Sequence, residues 1–226
     1  SQPGCDHANT RKILADLCVN PNAGGVLVLA LGCENNKMSD FKLELQKLSP
    51  DFGRIRFLES QSVPDELDAA QSLIRELLEE MKSDSRSPAP LSKLKVGMKC
   101  GGSDAFSGIT ANVLIGKFAD ELTARGGSCA LCEVPEMFGA ETLLMNRAKS
   151  RAVFDEIVDM INSFKNYFVS NGMPVYENPS PGNKAGGIST LEEKSLGCVQ
   201  KGGTGAVNDV VRYGGRLECA GLTLLE

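Results

Sequence analysis

Three of the eight cysteines lie beside glycines where an apolar run ends, a setting that suits chemistry better than packing. Cys33 lies in LGCENN, Cys100 in KCGGSD and Cys198 in LGCVQK. Thiolates are soft ligands for transition metals, whereas the usual alternative for a free cysteine is a buried small hydrophobic side chain. The polar residues that follow Cys33 and Cys100 favour a functional role for these two.

The apolar pattern alternates between short runs and helical spacing. Short runs predict strands near residues 24–33, 55–60, 93–100 and 128–136, and helical spacing predicts helices near residues 10–19, 37–48, 65–81, 110–125 and 148–169. This alternation predicts an α/β fold with a Rossmann-like parallel sheet, helices on both faces, and a long glycine-rich loop region after them.

The predicted strand ends carry the polar groups. Cys33, Glu34 and Asn35 follow the first strand, Cys100, Ser103 and Asp104 follow the third, and Glu133 and Glu136 follow the fourth. Because ligands bind at the carboxyl ends of parallel strands, we expect these groups along one edge of one sheet. Thiol, carboxylate and amide groups there would suit a metal ion and a polyhydroxylated substrate.

The stretch from residue 177 to residue 203 is rich in Pro, Gly, Asn, Lys and Glu and shows no clear hydrophobic period. A segment of this length within a compact domain is usually disordered or is a binding or catalytic loop. Apolar residues recur at intervals along it, so we predict an ordered functional loop. A solvated charged surface is the alternative.

Composition narrows the function classes. The chain has 226 residues, 42% of them hydrophobic, and a net charge of −5. No basic face suited to a phosphate backbone stands out, so we expect no nucleic acid partner. No apolar run is long enough to cross a bilayer, and the N-terminal residues lack the pattern of a signal peptide, so we expect no membrane partner and a cytoplasmic location. A homo-oligomer is left open.

Composition also suggests four segments. We predict a first α/β half at 1–84, a linker at 85–92, a second α/β half at 93–172, and a loop-rich segment at 173–226.

Four long motifs resemble one enzyme family. LGCENN (31–36), CGGSDAFSGITAN (100–112), EVPEMFGAE (133–141) and the stretch at 178–203 are similar, in this order, to the altronate dehydratase family. The related galactarate dehydratases share the plan, and ENN together with PEMFGAE favours the altronate branch. The family pattern also implies N- and C-terminal parts of the same enzyme beyond this central region.

The resemblance implies a hydro-lyase fragment. The expected reaction is the dehydration of D-altronate to 2-dehydro-3-deoxy-D-gluconate in hexuronate catabolism, assisted by a divalent metal, Fe(II) with Mn(II) as the alternative. A galactarate-type sugar-acid dehydratase and a catalytically silent structural domain of such an enzyme are the other readings.

Dehydration of a hydroxy acid needs a base beside the carboxylate and a stabiliser of the charge that develops. The candidate metal ligands are His7, Cys33, Cys100, Glu133 and Glu136. His7, the single histidine, could be a ligand or the base but not both; if it binds metal, Lys184 or Lys194 becomes the candidate base. The candidate substrate contacts are Asn35, Ser103, Asp104, Asn183 and Glu192.

Overall fold

The computed structural model describes residues 4–226. The chain divides between Ser87 and Pro88 into two compact units. Each has its own parallel sheet and its own hydrophobic core. The two units are described separately below.

The first unit packs three helices around a two-stranded sheet. Its elements are α1 (Gly4–Cys18), β1 (Val26–Ala30), α2 (Met38–Gln46), β2 (Ile55–Glu59) and α3 (Glu66–Met81). The strands are parallel, with Val26 opposite Ile55. Ala15, Phe41 and Leu45 form the buried core together with Ile55. Helix α3 begins where Asp65 accepts two backbone N–H groups at its N-terminus, the usual role of an N-cap aspartate.

The second unit is built on a four-stranded sheet. Its strands are β3 (Lys95–Met98), β4 (Ser128–Leu131), β5 (Val207–Val211) and β6 (Gly221–Leu225), and its helices are α4 (Ala111–Ala124), α5 (Glu141–Met145), α6 (Arg151–Ser170), α7 (Pro181–Ala185) and α8 (Leu191–Cys198). The spatial order is β3-β4-β6-β5 and every pairing is parallel. The two central strands are mostly buried, as expected for a sheet covered by helices.

Helix α6 contributes much of the second core. Ile157, Met160 and Ile161 are at most 1% exposed and lie on one face of the helix. Phe138 packs edge-on against Phe164 of the same helix, with ring centroids 6.5 Å apart. The helical spacing of the sequence predicted a helix here, and its packing holds the segment that follows β4 against the sheet.

The fold class is confirmed as α/β with parallel sheets and flanking helices. The expectation of a single sheet is wrong, because β1 pairs with β2 in a sheet separate from that of β3. The polar cluster after β1, with Cys33 and Asn35, therefore does not end at the same sheet edge as Cys100. A periodic pattern identifies strands but does not say which strands pair.

The segment at 177–203, predicted as an ordered loop, is largely helical. It contains α7, α8 and a 3-10 turn at Val199–Gly202. Ser180 caps α7 through the backbone N–H of Asn183, and Thr190 caps α8 through that of Glu193. Helices of five and eight residues are too short to show a clear apolar period, although their capping residues are typical.

The segment at 173–226, predicted as loop-rich, also contains strands of the sheet. This part supplies β5 and β6, half of the strands of the second sheet. Each strand is five residues long, and the glycines and charged residues around them hide the apolar run. Within residues 4–226, no helix has the combination of length and apolar character that a membrane crossing requires.

Candidate metal centre

Cys100 lies just after β3, where the chain turns away from the sheet. Its backbone N–H donates to the carboxylate of Glu133, which follows the neighbouring strand β4. Its Sγ atom lies 2.6 Å from the hydroxyl oxygen of Ser103. Two adjacent parallel strands therefore end in one hydrogen-bonded group, which fixes the backbone and the thiol of Cys100.

Glu133 has an unusual backbone conformation. Its φ is 68° and its ψ is 72°, the left-handed region that side chains other than glycine rarely adopt. The 3-10 turn Val134–Met137 follows at once, with Pro135 in its first turn. The sharp turn brings Glu136 back towards the strand end while the Glu133 carboxylate binds the Cys100 backbone. Such a strained residue is typical of functional sites.

Cys198, the last residue of α8, completes the group. Its Sγ atom lies 3.7 Å from that of Cys100 and 3.2 Å from Oε2 of Glu136. The ligand atoms of these three residues all lie within 4.8 Å of one another, close enough for one ion to reach them all. Among residues 4–226, these are the cysteines and acids whose ligand atoms cluster in this way.

The two thiols have opposite pKa shifts. The pKa of Cys100 is lowered, chiefly because the Cys198 thiol hydrogen bonds to its sulfur, with further help from Ser103 and the charge of Lys201. The pKa of Cys198 is raised by the same contact with Cys100, by burial, and by the negative charge of Glu136. These directions favour a thiolate at Cys100 over one at Cys198, and a thiolate is the form that binds metals.

Lys194 is one of two buried lysines at the site, the other being Lys201. Lys194 is 7% exposed, and its Nζ atom lies 2.9 Å from Oε1 of Glu136. The same Nζ donates to Oδ1 of Asn178 at 2.8 Å and to Oδ1 of Asn183 at 2.9 Å. An ammonium group has three protons, so these three acceptors account for all of them.

Two of the candidate substrate contacts have structural partners here. The amide of Asn183 donates to the backbone carbonyl of Ser103 at 2.9 Å, and its oxygen accepts from Lys194 and from Ser180. Ser103 is 9% exposed and its hydroxyl faces Cys100. Both side chains therefore help to hold the segment after β3 that carries Cys100.

The other candidates from the second unit lie at its surface. Asp104 is exposed and accepts the backbone N–H groups of Phe106 and Ser107, so it closes its own turn before α4. Lys184 and Glu192 are exposed on α7 and α8. Their side chains are open to solvent, unlike the buried Lys194.

Three of the predicted site residues, Cys33, Asn35 and His7, belong to the first unit. Cys33 and Asn35 are exposed in the loop after β1. His7 is half-buried on α1, and its Nε2 atom has no hydrogen-bond partner within the described part of the chain. A buried ring nitrogen without a partner is uncommon and leaves His7 available for a ligand.

Sequence reasoning missed two residues of the site. Cys198 stood out through its glycine neighbour but was not chosen as a ligand, because its position on a helix end was not foreseen. Lys201, in the 3-10 turn after α8, is 3% exposed and acts on the Cys100 thiol, and no pattern singled it out. A lysine in a polar stretch normally indicates a solvated surface.

Family models match both parts of the chain. Residues 91–226 match the D-galactarate/altronate dehydratase C-terminal model. Residues 1–82 match the second domain of D-galactarate dehydratase/altronate hydrolase. The two models together cover nearly all of the chain, and their limits lie close to the division between the two units.

Curated proteins with similar sequences belong to the same family as the matched models. The chain is 60% identical over 225 residues to an altronate dehydratase of Bacillus subtilis and 52% identical over 225 residues to that of Escherichia coli; each alignment covers 100% of this chain and 45% of the relative. It is 34% identical to the galactarate dehydratase (L-threo-forming) of Escherichia coli, over 93% of this chain and 42% of that protein.

The chain thus spans just under half the length of the curated relatives that it matches. The resemblance of the four sequence motifs is confirmed by both kinds of match, and the motif residues Cys100, Glu136 and Cys198 are the ones that the fold brings together. The chain belongs to the D-galactarate/altronate dehydratase family.

Proposed function

We propose that the complete protein dehydrates D-altronate to 2-dehydro-3-deoxy-D-gluconate in hexuronate catabolism, and that this chain supplies its metal centre. The observation that carries the proposal is the cluster of Cys100, Glu136 and Cys198, in a chain that is 60% identical to an altronate dehydratase. The 34% identity to a galactarate dehydratase makes galactarate the second candidate substrate.

The donor set fits a divalent transition metal. Two sulfurs and one carboxylate oxygen favour Fe(II) over Mn(II), because thiolates are soft ligands and Mn(II) prefers oxygen. When bound, such an ion supplies Lewis acidity that stabilises negative charge on the substrate. His7, Cys33 and Glu133 remain further candidate ligands. For Glu133, the hydrogen bond to the Cys100 backbone favours a supporting role.

The chain must also supply a base for the proton beside the substrate carboxylate. A lysine acts as a base only when it presents a free amine, and the three acceptors around Lys194 hold it as an ammonium group. We therefore assign the base to Lys184 or His7. Lys184 is exposed on α7 and has the freedom to reach a substrate.

Substrate contacts follow from exposure. Asp104 and Glu192 present carboxylates at the surface of the second unit, and Asn35 presents an amide in the first. We propose that Asp104 and Glu192 bind the hydroxyls of the sugar acid, while Ser103 and Asn183 hold the segment that carries Cys100. Asn35 stays a separate candidate contact of the first unit. We place the protein in the cytoplasm, where the eight free cysteines would stay reduced.

The direct experiment is an assay of the complete enzyme with D-altronate and with galactarate, each with and without Fe(II). We expect product from D-altronate, a strong dependence on Fe(II), and a slower reaction with galactarate. The 226-residue chain is assayed in parallel, with its metal content measured by elemental analysis. A metal-loaded but inactive chain would locate the ion here and the remaining machinery elsewhere. A complete enzyme that is fully active after metal removal would overturn the proposal.

A further inference from the structure

We propose that Lys194 is a positioning residue that fixes Glu136 for the metal ion, and not the catalytic base. The inference rests on the proposed metal centre and deepens it. It assigns each oxygen of Glu136 a separate partner, and it makes metal affinity, not proton transfer, the property that depends on Lys194.

The first step is that the two oxygens of the Glu136 carboxylate have different neighbours. Oε1 pairs with the Lys194 ammonium at 2.9 Å, whereas Oε2 lies 3.2 Å from Sγ of Cys198. One oxygen is therefore held by the lysine and the other faces the thiols. An ion bound by Cys100 and Cys198 would meet Oε2, on a carboxylate whose rotation Lys194 has already stopped.

The second step is how Lys194 itself is held. Its side chain is only 7% exposed. One ammonium proton faces Glu136, and the other two are donated to Asn178 and Asn183. A buried charge is costly unless it is paired and hydrogen bonded, so this arrangement tolerates little movement. The ammonium is a fixed point to which the carboxylate is tied.

The third step is a chain of hydrogen bonds that links Glu136 to Cys100. Asn183 accepts from Lys194 with its amide oxygen and donates with its amide nitrogen to the Ser103 carbonyl, 2.9 Å away. Ser103 in turn contacts the Cys100 thiol at 2.6 Å. Lys194 therefore connects Glu136 to Cys100 through Asn183 and Ser103. Groups that orient metal ligands in this way raise metal affinity without touching the ion.

The test compares Lys194→Met with wild type in the 226-residue chain. Methionine has a similar length but carries no charge. Binding of Co(II) and Fe(II) is measured anaerobically by competition with a chelator, and the near-ultraviolet sulfur-to-cobalt band reports whether the thiols still bind. We expect an affinity about 10- to 100-fold weaker. The cobalt band should survive at saturating metal, because both thiols remain.

Lys165→Met is the matched control. Lys165 forms a partly buried pair with Glu141, Nζ to Oε1 2.7 Å, in the same unit and outside the cluster. We expect its metal affinity to stay within about twofold of wild type, since Lys165 contacts none of the proposed ligands. Equal losses in both variants would show a general effect of removing a buried charge and would overturn the inference.

Asn178→Ala provides a second route if Lys194→Met does not fold. It removes one acceptor from Lys194 while the charge pair with Glu136 stays. We expect a smaller loss of metal affinity, and an affinity equal to wild type would overturn the proposal. If wild type binds metal and the folded Lys194→Met variant binds it equally well, the positioning role of Lys194 is wrong but the proposed metal centre stands. If wild type binds no metal, the proposed centre itself fails.

Discussion

The Sγ atoms of Cys100 and Cys198 lie 3.7 Å apart, although the residues are 98 positions apart in the chain. One follows a strand of the second sheet and the other ends a short helix. Two thiols this close share a hydrogen bond in the free protein and can share an ion. The carboxylate of Glu136, 3.2 Å from Cys198, gives the pair its third donor.

Replacing Cys198 by alanine should abolish tight metal binding. The variant loses a donor atom outright, so we expect the affinity for Fe(II) to fall by more than about 100-fold, beyond the loss for a mere supporting contact. Elemental analysis after gel filtration measures the retained metal. Cys129→Ala is the matched control, because Cys129 is equally buried but lies within β4. Metal retention by Cys198→Ala at the wild-type level would contradict the assignment.

The reactivity of Cys100 should depend on pH in a distinctive way. Because its pKa is lowered, the thiolate persists at pH values where an ordinary thiol, with a pKa of about 8.5, is protonated. Iodoacetamide should therefore modify Cys100 in metal-free protein well below that pH, as read by peptide mass spectrometry. Replacing Cys198 by alanine removes the largest cause of the shift, so the pH profile should move upward.

Bound metal should protect the same thiol. With Fe(II) or Co(II) present, modification of Cys100 should slow markedly, while the exposed Cys5 and Cys219 react as before. These two residues are internal controls in a single digest. Protection of Cys33 together with Cys100 would add Cys33 to the ligand set. Unchanged modification of Cys100 in metal-loaded protein would contradict a thiolate ligand there.

The left-handed conformation of Glu133 should have a measurable cost. Glu133→Ala and Glu133→Gly both lose the hydrogen bond to Cys100, but only glycine adopts a φ of 68° without strain. We expect the glycine variant to be more stable than the alanine variant by about 1 kcal/mol in urea unfolding. Equal free energies of unfolding would show that the conformation is not strained.

A close helix contact should make Gly116 intolerant of a side chain. A Cβ atom there would overlap the carbonyl oxygen of Gln200, in the turn that follows Cys198. We expect Gly116→Ala to lower the free energy of unfolding by about 1–3 kcal/mol, the usual cost of overpacking. Gly97→Ala is the control, since nothing lies within 4 Å of its Cβ position. A neutral Gly116→Ala would show that this contact is loose.

The sequence anticipated the parts of the fold that depend on local pattern. Helix α3 was expected at 65–81 and is observed at Glu66–Met81, because a long apolar period and an aspartate cap define it locally. Strand pairing was not foreseen, since β1 and β3 look alike as apolar runs yet belong to different sheets. Strands β5 and β6 were missed because their short runs are hidden among glycines.

The site residues also differ in how far local sequence pattern identifies them. Cys100 and Glu136 could be chosen because strand ends and their polar residues are visible in the sequence. Cys198 could not, because its position depends on how α8 packs: Gly197 meets Gly108 so closely that a Cβ on Gly108 would lie 3.1 Å from the Gly197 Cα. The role of Lys194 depends on Asn178 and Asn183, contacts that no spacing rule predicts.

We propose that Cys100, Glu136 and Cys198 together hold a divalent metal ion. Iron K-edge X-ray absorption of the chain, reconstituted anaerobically with Fe(II), identifies the atoms around the ion, because sulfur and oxygen neighbours scatter differently. We expect a shell with two sulfur neighbours in wild type, and with one in Cys198→Ala when that variant is loaded at the higher Fe(II) concentration that its weaker affinity requires. A spectrum of oxygen and nitrogen neighbours only, unchanged by that substitution, would contradict it.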